Sequence, residues 1–179
     1  DRDTGDRFVE IYNLVFMQFN RDADGNLNPL PKPSVDTGMG LERITAVMQG
    51  TPDNYQTDLF APLIKKISEI TREKDLDNPS LRVIADHLRA SCFMLSDGIA
   101  IGNEGRNYVL RRIIRRALRH AYKLNKDNFY IMSELAIYFS DLYKDLYPEI
   151  EKNNTFIKKA LLEEEKRFGS TLNQGMNLL

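Results

Sequence analysis

Asp36, Gly38, Gly40 and Arg43 fall close together in the run Val35-Asp36-Thr37-Gly38-Met39-Gly40-Leu41-Glu42-Arg43-Ile44. Their types suit the handling of a small charged molecule. A carboxylate such as Asp36 suits a substrate ammonium, and the planar fork of Arg43 suits a phosphate. Gly38 and Gly40, spaced by one apolar residue, let a ligand approach backbone where a Cβ would collide. Asn13 and Val15, two residues apart, share one face of an upstream strand. An asparagine inside an apolar strand costs stability unless it finds a hydrogen-bond partner.

A second constellation lies downstream. Residues 105 to 126 hold Arg106, Arg111, Arg112, Arg115, Arg116, Arg119, Lys123 and Lys126 with no acid among them. At 3.6 residues per turn, Leu110, Ile113, Ile114, Ala117, Leu118 and Ala121 form one face. Arg111, Arg112, Arg115, Arg116 and Arg119 cover the other. Like charges three and four apart repel, so this face calls for an anionic partner or for carboxylates elsewhere in the chain. Phosphates are the natural candidate. A membrane surface suits the helix less, because its apolar face is needed for a core. Asn103, in the loop before this helix, offers a donor and an acceptor together and can read a base edge. Its structural alternative is a turn or a helix cap.

The elements that must position these residues follow from pattern. From Arg7 to Phe19 the chain is rich in Phe, Val, Ile and Tyr, which predicts a long, largely buried strand. Asp22 to Asn26 reads as a turn, with a return strand near Leu27. Pro29, Pro31 and Pro33 forbid helix and deliver an extended segment into Ser34-Val35-Asp36. After Gly40 the apolar spacing is helical until Gly50 and Pro52. Helices are expected over Leu59 to Arg72, Pro79 to Ser96, Asn107 to Lys123, Asn128 to Leu146, and from Asn153 onward, with Pro148 separating the last two. The fold class is therefore α+β and mostly α: a remnant of an antiparallel sheet followed by a helical bundle, divided as residues 1–52 and 53–179.

Composition narrows the remaining choices. Lys and Arg number 25 against 26 Asp and Glu, a formal charge of −1, so the basic helix is a local feature rather than a global one. Cys92 is the one cysteine. It excludes an internal disulfide and fits a reducing, cytoplasmic setting. No long uncharged apolar run predicts a transmembrane span or a signal peptide. His87 and His120 have no second His or Cys at ligand spacing, so no metal site, zinc included, is expected. His87 is expected to be structural rather than catalytic, and Glu163-Glu164-Glu165 a solvated helix face. The chain does not begin with methionine, and its first residues already approach a strand, so it reads as a piece of something larger.

The run from Val35 to Ile44 resembles the third signature motif of class II aminoacyl-tRNA synthetases. The stretch from Glu10 to Arg21, the segment Leu30-Pro31-Lys32-Pro33-Ser34, and the stretch from Asn103 to Ala117 are similar to the alanyl-tRNA synthetase family. That resemblance implies activation of alanine with ATP and Mg²⁺, then transfer to the acceptor end of tRNA(Ala). It implies an alanine pocket bordered by Asn13, with Val15 limiting side-chain size, Asp36 holding the α-ammonium and Gly38 leaving room for a methyl group. A pocket of this kind discriminates poorly against serine or glycine, so editing is expected to be needed, and no editing domain is expected within this sequence. Gly40 and Arg43 would contact ATP, with Arg43 stabilising charge as carboxylate attacks the α-phosphate. Asn103 would read the acceptor-stem G·U wobble pair in the shallow minor groove, while the arginines hold the backbone. The family also uses an acidic residue for this pair, downstream of this chain. The first two class II motifs lie outside it too, so it is expected to be inactive alone. Two rival expectations are an independent RNA-binding helical module and a structural domain whose arginines pair with the acidic C-terminal helix.

Overall fold

The computed structural model describes residues 8–176. The chain divides into two compact units, one ending at Leu59 and one beginning at Phe60.

The first unit is a hairpin and a helix. Strand β1 (Tyr12–Arg21) pairs antiparallel with β2 (Leu27–Met39). Asp22 closes the turn: its Oδ1 accepts from the backbone N–H of Asp24 and Asn26 at 3.1 and 2.8 Å. Gly25 takes a φ of +90°, which that turn requires and a side chain disfavours. The prolines lie within β2 itself, which is tolerated because each strand has a free edge. After Gly40 the chain enters α1 (Leu41–Met48). A single 3-10 turn (Asn54–Gln56) follows, started by Asp53 accepting from Tyr55 N–H at 2.9 Å.

The expected burial of the first strand does not hold. β1 begins at Tyr12, Arg7 lies outside the described residues, and every residue of β1 is exposed. One hairpin face carries Tyr12, Leu14, Phe16, Val35 and Met39, and Phe16 is 74% exposed. The apolar pattern asks for a covering layer, and a two-stranded sheet provides none of its own.

The second unit is helical: α2 (Ala61–Thr71), α3 (Pro79–Ser96), α4 (Gly105–Leu124), α5 (Met132–Tyr143), the short α6 (Pro148–Lys152) and α7 (Asn154–Met176). Pro148 was expected only as a breaker; it opens α6 because proline's fixed φ suits a first helical position. Asn78 caps α3 by accepting from Ser80 N–H at 2.9 Å. Gly98, at a φ of +83°, closes it. The core is built from Leu63 and Ile67 of α2, Leu81, Ile84 and Leu88 of α3, Leu110, Ile114 and Leu118 of α4, and Phe139 of α5. His120 Nδ1 lies 3.0 Å from Ser80 Oγ, joining the end of α4 to the start of α3 and fixing the pair as antiparallel.

Helix α5 has no side-chain cap of its own. Its cap comes from Glu165 of α7, which is fully buried. Glu165 Oε1 accepts from Met132 N–H at 2.6 Å and Ser133 N–H at 3.2 Å, and Oε2 accepts from Ser133 Oγ–H at 2.6 Å. The expected solvated acidic face is therefore corrected. Only Glu163 is exposed, while Glu164 and Glu165 face inward where packing supplies cationic and N–H partners.

Burial raises the Glu165 carboxyl above its ordinary value of 4.5, against the opposing pull of the Ser133 and Met132 donors. A carboxyl held higher in the folded state binds its proton more tightly there. Stability from this group is thus complete below 4.5 and declines as pH rises through the raised folded value. Glu165→Gln keeps an acceptor for the α5 N–H groups and is expected to flatten that decline. Glu165→Ala leaves two backbone donors unmet and is expected to cost about 2 kcal/mol. Urea unfolding followed by the helical signal between pH 4.5 and 7.5 measures both.

Candidate nucleic-acid interface and small-molecule face

The hairpin gathers four of the expected residues on one surface. Asn13 pairs with Gly38 and Val15 with Asp36. Residues directly opposite in an antiparallel pair point to the same side. Asn13, Val15, Asp36 and Gly38 therefore form a contiguous patch, opposite the apolar face. A Cβ built on Gly38 would stand 2.9 Å from Asn13 Oδ1, so this glycine makes room for the asparagine amide. Val15 is half exposed, and the patch is open.

Glu10, to which the sequence reading gave no role, organises the end of this patch. Its Oε1 accepts from Asn13 Nδ2 at 3.0 Å. Its backbone carbonyl accepts from Arg43 Nη1 at 2.6 Å. Gly40 N–H donates to Ile11 O at 3.2 Å, which ties the entry of α1 to the strand. A Cβ on Gly40 would meet Arg43 Cδ at 3.3 Å, so the bare glycine lets the arginine stem lie against the backbone. The result sets a carboxylate, an amide and a guanidinium around one small polar surface. Among the described residues, no three His, Cys, Asp or Glu side chains gather as metal ligands would.

The arginines of α4 separate into two groups. Arg111 is 8% exposed, and its Nε lies 3.5 Å from Glu164 Oε1. The helical wheel set it on the outer face, but its position falls beside Leu110, Ile114 and Leu118, and Glu164 supplies the charge that lets it stay there. Arg115, partly buried, donates from Nε to the same Oε1 at 2.6 Å and lies over the Phe168 ring, 5.3 Å from its centroid. Arg106, Arg112, Arg116 and Arg119 are exposed. Arg112 sits 5.9 Å from the centroid of Tyr108. Asn103 is exposed too, and its Oδ1 accepts a hydrogen bond from Arg111 Nη1.

Tyr108, Arg111, Arg112, Arg115, Arg116 and Arg119 line a groove of about 610 Å³ that also takes in His87 of α3 and Phe168 of α7. Its cationic groups are suited to phosphates and its rings to bases or riboses. Asp86 stands beside it, with Oδ2 2.9 Å from His87 Nδ1. The hydrogen bond from His87 holds the Asp86 carboxyl below its ordinary range, helped by the nearby charges of Arg89 and Arg116. Cys92 is buried, and desolvation pushes its thiol far up, which keeps it protonated. No described helix is long and apolar enough to cross a membrane.

Sequence reasoning missed Glu164, although a signal was present. Ile157, Leu161 and Phe168 are buried along α7, and Glu164 and Glu165 fill the helical steps between Leu161 and Phe168. Acids at positions whose neighbours in the period are core residues face inward. Tyr108 and Phe168 left no such mark, because their contacts with Arg112 and Arg115 depend on side-chain placement.

Comparison with known proteins bears on both constellations. Proteins named alanine–tRNA ligase are similar over nearly the whole chain. The one from Hydrogenovibrio crunogenus is 56% identical over 175 residues, which is 98% of this chain and 20% of that protein. The one from Halorhodospira halophila is 52% identical over 179 residues, covering 100% of this chain and 21% of that protein. The one from Idiomarina loihiensis is 55% identical, again over 98% of this chain and 20% of that protein. The chain thus spans about a fifth of the length of the curated relatives it matches. The profile of the family described as tRNA synthetases class II (A) matches residues 1–179, and the chain belongs to that family.

Proposed function

We propose that this chain is part of an alanine–tRNA ligase, in which the hairpin unit contributes to the alanine and ATP site and the helical unit holds the acceptor stem of tRNA(Ala). The division follows the two units at residues 59 and 60, close to the 52/53 boundary read from the sequence. The observation that carries the reading is the exposed Arg112, Arg116 and Arg119 row along α4, in a helix free of acids, within a chain so similar to alanine–tRNA ligases.

In the helical unit Arg106, Arg112, Arg116 and Arg119 take backbone phosphates. Arg115 reaches the groove from its edge. Arg111 acts inward, holding Asn103, whose amide reads the wobble pair. An oxygen with two lone pairs can accept from Arg111 and still accept from a guanine amino group.

In the hairpin unit Asp36 receives the alanine ammonium while Asn13, Val15 and Gly38 shape the pocket for a methyl group. Arg43, steadied by the Glu10 carbonyl, offers its remaining N–H groups to the nucleotide phosphates, next to Gly40. Carboxylate attack on the α-phosphate then gains from charge already positioned where it develops. Mg²⁺ would arrive with the nucleotide and neutralise phosphate charge; no residue of this chain is assigned to hold it. A protein of this kind works in the cytoplasm with tRNA, alanine and ATP.

Titration with an acceptor-stem RNA hairpin at several salt concentrations tests the RNA reading. Arg112→Gln with Arg116→Gln is expected to weaken binding at least tenfold and to reduce the salt slope by about two. Asp36→Ala is expected to leave it unchanged. Asn103→Ala is expected to remove any preference for the wobble hairpin over its Watson–Crick counterpart. Equal RNA affinity in the doubly neutralised variant would return α4 to a structural role.

The pocket reading carries its own test. Its four residues lie exposed on a two-stranded sheet, so the 179-residue chain is expected to give no alanine-dependent pyrophosphate exchange. Exchange by the pure chain would show that the hairpin needs no further walls.

A further inference from the structure

The arginine groove has a second wall. His87 of α3 lines the same space as the exposed arginines of α4, and its side chain is 13% exposed. Its Nδ1 is engaged by Asp86, the residue just before it, at 2.9 Å. That contact stays within one helix, and among the described residues the His87 ring makes no hydrogen bond to another helix. It leaves Nε2 as the open nitrogen of a ring that borders a cationic groove.

We propose that His87 is a phosphate ligand of this groove, donating through Nε2–H as an imidazolium from the side opposite the arginines. The inference rests on the RNA reading of α4 and adds a contact from a second helix, one that is linked to a proton. The hydrogen-bond inventory of imidazole dictates the linkage. With Asp86 accepting at Nδ1, a neutral ring keeps its proton there and presents a lone pair at Nε2. A phosphate oxygen is an acceptor and gains nothing from a lone pair. Protonation supplies the second N–H.

The charges facing the ring decide when that happens. Asp86, on its own helix, favours the imidazolium. Arg111, Arg112, Arg115, Arg116 and Arg119 of α4 line the same groove and His120 of α4 lies near it, Arg89 stands on the histidine's own helix, and α7 brings the Phe168 ring, with Glu164 behind Arg111 and Arg115. A bound phosphate offsets the arginines, so RNA binding and protonation of His87 favour each other by the same factor.

The chain has two histidines, so a single substitution assigns both imidazole C–H resonances. Their NMR titration in the 179-residue chain, with and without the acceptor-stem hairpin, reads the contact directly. RNA is expected to raise the His87 midpoint by about half a unit or more. His120, held low by burial and by Arg116, is expected to move less. Hairpin affinity is expected to be about threefold greater near pH 5.5 than near pH 8, and His87→Gln to abolish that difference. A His87 midpoint unmoved by bound RNA overturns this inference and leaves the arginine reading intact. RNA that fails to bind, or that binds equally after Arg112→Gln with Arg116→Gln, overturns the arginine reading and the His87 assignment with it. The titration reads the native chain, so an unstable His87→Gln would not obscure the result.

Discussion

Two adjacent carboxylates buried in α7 set the orientation of the helical unit. Glu164 faces α4, where Arg111 and Arg115 meet its Oε1, and Arg167 of its own helix stands 3.6 Å from Oε2. Glu165 faces α5 and caps its first turn. A buried ion pair adds little net stability, since desolvation offsets the attraction, but losing one partner leaves the other charge stranded at a cost of about 3–5 kcal/mol. Any rotation of α4 about its axis would leave Glu164 with Arg167 alone. The pairing thereby fixes which arginines of the groove are held by α7 and which stay exposed.

That division gives the basic helix two jobs. Arg111 and Arg115 attach α4 to the bundle, and Arg111 extends the connection to Asn103 in the preceding loop. Arg112, Arg116 and Arg119 remain free to face an anion. Five cations without internal relief would repel one another along the helix. With Glu164 absorbing two of them, the remaining three stay exposed as the surface proposed for phosphates. Recruiting Tyr108, Phe168 and His87 makes that surface a groove rather than a flat face, with ring and imidazole chemistry beside the charge.

The hairpin works by a different constraint, the alternation of side chains along paired strands. Because Asn13 opposes Gly38 and Val15 opposes Asp36, one face is polar and shaped while the other is apolar. Slipping the register by one residue would exchange the two faces and scatter the patch. Gly38 is part of the same constraint, for it leaves space that the Asn13 amide occupies. Glu10 then links strand and helix by holding Asn13 with its side chain and Arg43 with its carbonyl. The opposite face of the hairpin is apolar and exposed.

Local pattern by itself determined the order of elements, the hairpin with its turn at Asp22 to Asn26, the glycine-flanked entry to α1, and the amphipathic course of α4. These depend on backbone preferences and on periods of two and 3.6 residues, both written in neighbouring residues. Sequence also singled out Asn13, Asp36 and Arg43, because polar residues at those places need a reason. Only the tertiary structure decided that Arg111 is internal, that Glu164 and Glu165 are buried, and that His87 shares a groove with residues of α4. Each of those outcomes depends on a partner some 21 to 53 positions away, and a side chain's charge reveals its sign but not which distant group will come within reach of it.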